Sequence, residues 1–69
     1  MKISARNVLK GTVKQVITGV VNVEVVVTLP GGQEVVSIIT KESANALNLS
    51  QGKEVYAIIK ASSVIIGAD

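Results

Sequence analysis

The sequence has no cysteine, histidine, tryptophan or phenylalanine, and Tyr56 is its only aromatic residue. Without cysteine there is no disulfide framework, and the usual ligand sets of zinc and iron sites are missing as well. Without histidine, the side chain that most often moves protons near neutral pH is absent. These absences point away from a disulfide-stapled domain, a zinc or iron site, and histidine-based proton transfer.

The apolar residues are almost entirely aliphatic, since hydrophobic residues make up 48% of the 69-residue chain and aromatic residues 1%. We therefore expect one domain, over residues 1–69, with a core of valine, isoleucine, leucine and alanine. A domain of this size buries only about 60% of the surface of its unfolded chain and is marginally stable alone. With neither disulfides nor metal to stabilise it, we expect the protein to oligomerise.

The charge balance is mildly basic, with seven Lys and Arg against five Asp and Glu and a net charge of +2. This excess suits an anionic ligand but is too small to indicate a nucleic-acid-binding protein by itself. No apolar run approaches the roughly 18 residues of a membrane span, and the first residues lack the pattern of a signal peptide. We therefore expect a cytoplasmic protein with no membrane partner.

Alternating apolar and polar residues predict three strands in the first half of the chain. They span residues 5–17, 20–29 and 33–39. One face of the first strand carries Leu9, Gly11, Val13 and Ile17. A glycine inside a strand suggests a bulge or a sharp bend, which we expect at Gly11. The turn Pro30-Gly31-Gly32 joins the second and third strands into a hairpin.

The second half of the chain adds one short helix and two further strands. The helical pattern spans residues 40–49, where Thr40 can serve as the N-cap and Glu42 favours the positive end of the helix. Its apolar face consists of Ala44 and Leu47. The two strands are predicted over residues 54–60 and 63–66. Five strands with one helix between the third and fourth is the OB-fold order, so we predict an all-β, five-stranded OB-fold-like barrel.

A second apolar stripe lies outside this predicted core. The third strand is apolar on both faces, with Val36 and Ile38 on the side opposite Val35 and Ile39. Val26 lies on the nominally outer face of the second strand. Isolated surface valines are common, but so small a domain has no second core to receive a stripe. We expect the stripe to form a subunit interface.

Hydrogen-bond donors are concentrated at the ends of the predicted elements. They are Ser4, Arg6 (the only arginine), Thr40, Ser43, Lys60 and the backbone of Ala61. The helix start adds free backbone N–H groups and a partial positive charge. Each residue alone is readily explained as a surface group or a cap. Together they favour a four-oxygen oxyanion, which only accepts hydrogen bonds, in a pocket where strand ends and helix start share one rim of the barrel.

Five stretches of the sequence closely resemble the molbindins, the Mop-type molybdenum-pterin-binding proteins. They are residues 4–7 (Ser-Ala-Arg-Asn), 9–13, 39–44, 52–55 and 60–65. The resemblance covers essentially the whole chain, which would be a single Mop/TOBE-type domain. It implies a small cytoplasmic protein that binds molybdate, with tungstate as a further ligand, for molybdenum storage and homeostasis. Whether a pterin is bound stays open.

The resemblance also implies where the ligands lie. Oxyanions would bind between the subunits of a hexamer, arranged as three dimers, through six residues of each chain. These are Ser4, Arg6, Thr40, Ser43, Lys60 and, through its backbone, Ala61. A second kind of site on the three-fold axis would use Gly19, Val20 and Asn22. We expect that one chain does not complete the main pocket.

Three other functions fit the sequence less well than oxyanion binding. A nucleic-acid-binding OB-fold stacks bases on aromatic side chains, and Tyr56 alone supplies little of that energy. A strand-swapped dimeric DNA-binding regulator would need a basic stripe, which seven basic and five acidic residues do not provide. An enzyme is the weakest interpretation, because no nucleophile–base pair, carboxylate dyad or phosphate loop is present.

Overall fold

The structure, a computed structural model, describes all 69 residues. Four strands and one helix make up the regular structure: β1 Asn7–Thr18, β2 Asn22–Thr28, β3 Glu34–Thr40, α1 Lys41–Ala46 and β4 Glu54–Ile59. A 3₁₀ turn follows at Ala61–Ser63. The strands form a single antiparallel sheet in the order β3-β2-β1-β4. No helix is long and apolar enough to cross a membrane.

The long strand β1 is shared between two partners, and this division curls the sheet. Its first half, from Asn7 to Thr12, pairs with β4, and its second half, from Thr12 to Thr18, pairs with β2. The register shifts between Val13 and Gln15, so the bulge lies there and not at the expected Gly11. The shift exchanges the two faces of β1 beyond the bulge.

Gly11 does not form the predicted bulge. It instead allows β2 to approach β1 closely. A Cβ atom at Gly11 would lie 2.6 Å from Val27 Cγ1 and 2.8 Å from the backbone oxygen of Thr28. Real Cβ atoms do not come so close to other heavy atoms. The absence of a side chain at Gly11 therefore lets the end of β2 fold over β1.

The core is aliphatic, as the composition predicts. Its buried residues are Val13, Val23, Val25, Val27 and Ala44. Partly buried residues packed against them are Val16, Leu29, Ile39, Leu49 and Val55. Ala44 is thus the contribution of α1 to the core, whereas Leu47, expected on the same apolar face, is exposed. Because of the register shift in β1, Val16 faces the core where Ile17 was expected.

The outer apolar stripe is only partly open to solvent. Val26 is just 8% exposed although it lies on the outer face of β2. The side chain of Lys14 in β1 reaches across β2 to form an ion pair with Glu34 at the start of β3. Val36 and Ile38 stay exposed. The predicted interface stripe is therefore reduced to these β3 residues within one chain.

The predicted fifth strand over residues 63–66 is wrong for the isolated chain. After the 3₁₀ turn the backbone makes no strand pairing, and Ile65 is 93% exposed. A strand needs a ladder partner, and a short apolar run alone cannot supply one. The sheet therefore ends in two free edges, β3 and β4, and the barrel is not closed by this chain.

The gap between these edges is an open apolar cleft of about 480 Å³. Val35 and Ile39 line it from β3, and Val55, Ala57 and Ile59 line it from β4. The whole chain exposes 5400 Å². A compact monomer of this mass would expose about 4,100 Å². One chain thus leaves far more surface in solvent than a self-contained domain of its size.

The end of α1 is held by Lys53, which lies in the turn before β4. Its ammonium group donates hydrogen bonds to the backbone oxygens of Leu47 and Asn48, just beyond the helix. A cation at a helix C-terminus contributes about 0.3–1 kcal/mol. We expect Lys53→Met to lower the melting temperature by about 1–8 °C, using 4–8 °C per kcal/mol. Thermal unfolding measures the change, with Lys2→Met as the charge-matched control, and equal melting temperatures would contradict it.

Candidate functional site

The first donor cluster lies where β1 begins and β4 ends. Asn7 and Ile59 are directly paired as the last residues of the β1–β4 ladder. Arg6 immediately precedes this pair and Lys60 immediately follows it, so the two cations lie at the same end of the sheet. Both are exposed and neither is in an ion pair, because the two ion pairs of the structure use Lys10 and Lys14.

Ser4 and Ala61 belong to the same end of the molecule. Ser4 lies in the irregular segment before β1, two residues from Arg6. Ala61 opens the 3₁₀ turn that follows Lys60, whose backbone is extended. Both residues are exposed. The structure thus brings four of the six predicted ligand residues to one place, which we call the strand-end cluster: Ser4, Arg6, Lys60 and Ala61.

The second donor cluster lies at the start of α1. Thr40 is the N-cap, as predicted, with extended backbone angles and a side chain that accepts a hydrogen bond of 3.1 Å from the backbone N–H of Ser43. The Thr40 hydroxyl also donates to the Ser43 hydroxyl at 2.9 Å. Both side chains are exposed. This helix-start cluster, Thr40 and Ser43, presents two neighbouring hydroxyl groups to solvent.

The loop between β1 and β2 lies beside the helix-start cluster. Asn22 pairs directly with Thr40, and the backbone oxygen of Val21 accepts a hydrogen bond from the backbone N–H of Lys41. The loop closes through a bond from Gly19 N–H to the backbone oxygen of Asn22. Val20, at its tip, is almost fully exposed. The predicted second site and the helix-start cluster are therefore adjacent.

The strand-end and helix-start clusters lie at opposite ends of β1. The β4 ladder occupies the beginning of β1, up to Thr12, and its outer end carries the strand-end cluster. The β2 ladder occupies the rest of β1, up to Thr18, and β3 follows β2 to Thr40 at the same end. The six predicted ligands therefore do not converge on one rim of this chain. Each chain offers two separate halves of a donor set.

Asn7 is a residue of this region to which sequence reasoning gave no role. Its side-chain Nδ2 donates a hydrogen bond of 3.1 Å to the backbone oxygen of Ile59. It is half-buried, unlike its exposed neighbour Arg6. The available signal was a carboxamide at the start of a strand, which can bond to neighbouring backbone. The partner strand was not identifiable from sequence.

Comparison with known proteins adds to this geometry. The family model described as the TOBE domain matches residues 3–66. This chain belongs to the TOBE domain family. A curated relative from Haemophilus influenzae, named "Probable molybdenum-pterin-binding protein", is 48% identical over 69 residues, which is the full length of both proteins. The predicted resemblance to the Mop-type proteins is thereby confirmed.

Two solved structures share the fold of this TOBE domain. The molybdate-binding protein from Sporomusa ovata is 38% identical, with a TM-score of 0.93, covering 99% of this chain and 100% of that one. The cytoplasmic molybdate-binding protein ModG, with molybdate bound, is 49% identical, with a TM-score of 0.96. This TOBE domain is fully covered by that match and spans 49% of the ModG chain. The four-stranded, curled sheet with one short helix is thus the fold of known molybdate-binding proteins.

Proposed function

We propose that this protein binds molybdate, and tungstate by the same chemistry, between the subunits of a homo-oligomer. The observation that carries the proposal is the division of the donor set into two exposed halves at opposite ends of β1. A second copy that brings its helix-start cluster against the strand-end cluster of the first would complete a pocket. The relatives named for molybdenum-pterin or molybdate binding support the choice of ligand.

The chemistry of the two halves suits an oxyanion. Arg6 supplies a planar guanidinium, Lys60 an ammonium, and Ser4, Thr40 and Ser43 supply hydroxyls. A tetrahedral dianion accepts hydrogen bonds through all four oxygens, and bonds from charged donors are the stronger ones. Arg6 and Lys60 are free of acidic partners, so an anion does not have to displace a carboxylate from them.

Assembly is favoured by the surface that one chain leaves open. The apolar cleft between β3 and β4, the exposed Val36 and Ile38, and the exposed end of the chain at Ile65 would all gain from burial. Burial of apolar surface stabilises a protein by about 25 cal/mol per Å². Assembly would therefore add stability to a small domain that is only marginally stable alone. We infer a hexamer of three dimers, and a role in molybdenum storage and homeostasis in the cytoplasm.

The loop with Gly19, Val20 and Asn22 is proposed as a second oxyanion site. Its position beside the helix-start cluster supports this, because Asn22 pairs with Thr40. Nucleic-acid binding is not supported by the outer surface, since Lys10 and Lys14 are paired with Glu54 and Glu34. Such pairing cancels the local positive charge that a phosphate backbone would need.

We expect molybdate to raise the melting temperature of the protein and DNA to leave it unchanged. A ligand at ten times its Kd stabilises the folded state by about 1.4 kcal/mol per site. For a domain of this size that corresponds to about 6–11 °C. Thermal unfolding with molybdate, tungstate, sulfate, or single- or double-stranded DNA makes the measurement, with sodium chloride at equal ionic strength as the control. A shift with DNA and none with molybdate would reject the proposal.

A further inference from the structure

The hydrogen bond from Asn7 Nδ2 to the backbone oxygen of Ile59 ties the two halves of the strand-end cluster together. It joins residues 52 apart in sequence and is the only bond from a side chain to backbone between two strands. We propose that Asn7 is a positioning residue of the oxyanion site, which fixes the spacing between Arg6 and Lys60. The inference rests on the proposed function and adds to it a residue that makes no contact with the ligand.

The backbone ladder between β1 and β4 holds Asn7 beside Ile59, and beyond this last pair only local bonds restrain the residues that carry the cations. Residues 1–6 belong to no strand, so the segment that carries Ser4 and Arg6 is attached through Asn7. On the other side, β4 is an edge strand that ends at Ile59. The turn after it is held by local bonds only, from Ser63 N–H to the oxygen of Lys60 and from Val64 N–H to that of Ala61.

Electrostatic repulsion opposes a close approach of the two cations in the strand-end cluster. Arg6 and Lys60 carry like charges, and neither has an acidic partner in the chain. Without an anion between them they repel each other. The hydrogen bond from the Asn7 side chain to the Ile59 oxygen lies next to both residues and opposes this repulsion before the ligand arrives. Preorganisation of this kind increases affinity because less ordering is left for the binding step.

Fixed spacing also has a consequence for selectivity. Two cations held at a set separation favour anions of the matching size, whereas loosely held cations adapt to several sizes. Molybdate and sulfate carry the same charge and the same tetrahedral arrangement but differ in size. The ratio of their affinities is therefore sensitive to the Asn7 bond, whereas a general loss of stability would leave that ratio unchanged.

The test compares the purified wild-type oligomer with three variants by calorimetric titration of molybdate and of sulfate. Asn7→Leu keeps the volume and removes the donor, and we expect molybdate to bind about 3- to 10-fold more weakly, the range for a neutral hydrogen bond. The sulfate affinity should fall less, which lowers the molybdate-to-sulfate ratio. Asn7→Gln retains the amide group and should recover most of the affinity for molybdate and for sulfate.

The matched control is Glu54→Gln. It removes the ion pair between Lys10 and Glu54, which joins the same two strands away from the strand-end cluster. Its affinities should equal those of the wild type. Mass measurement and circular dichroism establish that each variant is assembled and folded. Should Asn7→Leu fail to fold, Asn7→Ser takes its place, because the serine hydroxyl is too short to reach Ile59, and the same fall in the ratio is expected.

The outcomes separate the two proposals. If the wild type binds no molybdate, the proposed function fails and the role of Asn7 fails with it. If the wild type binds molybdate and Asn7→Leu binds it equally well, only the role of Asn7 is overturned. A weaker affinity for both anions at an unchanged ratio identifies a purely structural side chain and also overturns the inference.

Discussion

Replacing Arg6 with alanine is expected to weaken molybdate binding at least about 10-fold. A hydrogen bond to a charged group contributes about 1.5–3 kcal/mol, and the guanidinium can offer two in parallel to neighbouring oxygens. Arg6 is exposed and has no acidic partner, so the substitution removes no internal ion pair of the chain. Calorimetric titration of the wild type and the variant measures the effect.

The control for Arg6→Ala is Lys2→Ala. It makes the same change in net charge, four positions away in the same irregular segment before β1. A general electrostatic attraction of the anion would weaken binding in both variants to a similar extent and would fall with added salt. A specific contact weakens binding in Arg6→Ala alone. Unchanged binding in Arg6→Ala would show that Arg6 does not contact the anion, and the proposed site would lose its main cationic ligand.

Replacing Gly11 with alanine is expected to destabilise the protein by about 3 kcal/mol, the upper part of the usual range for overpacking. The added methyl would lie 2.6 Å from Val27 Cγ1 and 2.8 Å from the backbone oxygen of Thr28. A side chain can rotate away, but the Thr28 oxygen belongs to the backbone of β2 and moves only with the strand. A chain of this length has a total stability of about 3–10 kcal/mol, so the loss is a large part of it.

Chemical denaturation measures this loss as a lower midpoint at an unchanged slope. Gly67→Ala is the matched control, because nothing lies within 4 Å of a Cβ atom at Gly67 and its backbone angles are ordinary. Its midpoint should equal that of the wild type. Equal midpoints for Gly11→Ala and Gly67→Ala would show that β1 and β2 are not packed as closely as described.

The local elements follow from the sequence to within a few residues. In β2 the alternation of valines predicts the inner face, and Val23, Val25 and Val27 are indeed buried. The hairpin of β2 and β3 and the N-cap at Thr40 are also found as predicted. These features depend on period, turn chemistry and capping, all of which involve neighbouring residues.

Features that depend on strand partners were not predicted correctly from the sequence. Period-2 alternation put Ile17 on the inner face of β1, but the register shift before Gln15 puts Val16 there. The apolar pattern of residues 63–66 predicted a fifth strand, although this segment pairs with no other strand of the chain. A bulge or a missing ladder partner is decided by distant backbone and leaves no reliable trace in a local pattern.

The candidate site shows the same division. The sequence by itself indicated the chemistry of the candidate site, because one arginine, a lysine and three hydroxyls at element ends can all donate hydrogen bonds to an anion, and it identified the family. Only the tertiary structure decided that Thr40 and Ser43 lie at the opposite end of β1 from Arg6 and Lys60, and that Asn7 bonds to Ile59. The physical reason is that residue type fixes what a side chain can bind, whereas ladder register fixes which side chains are neighbours.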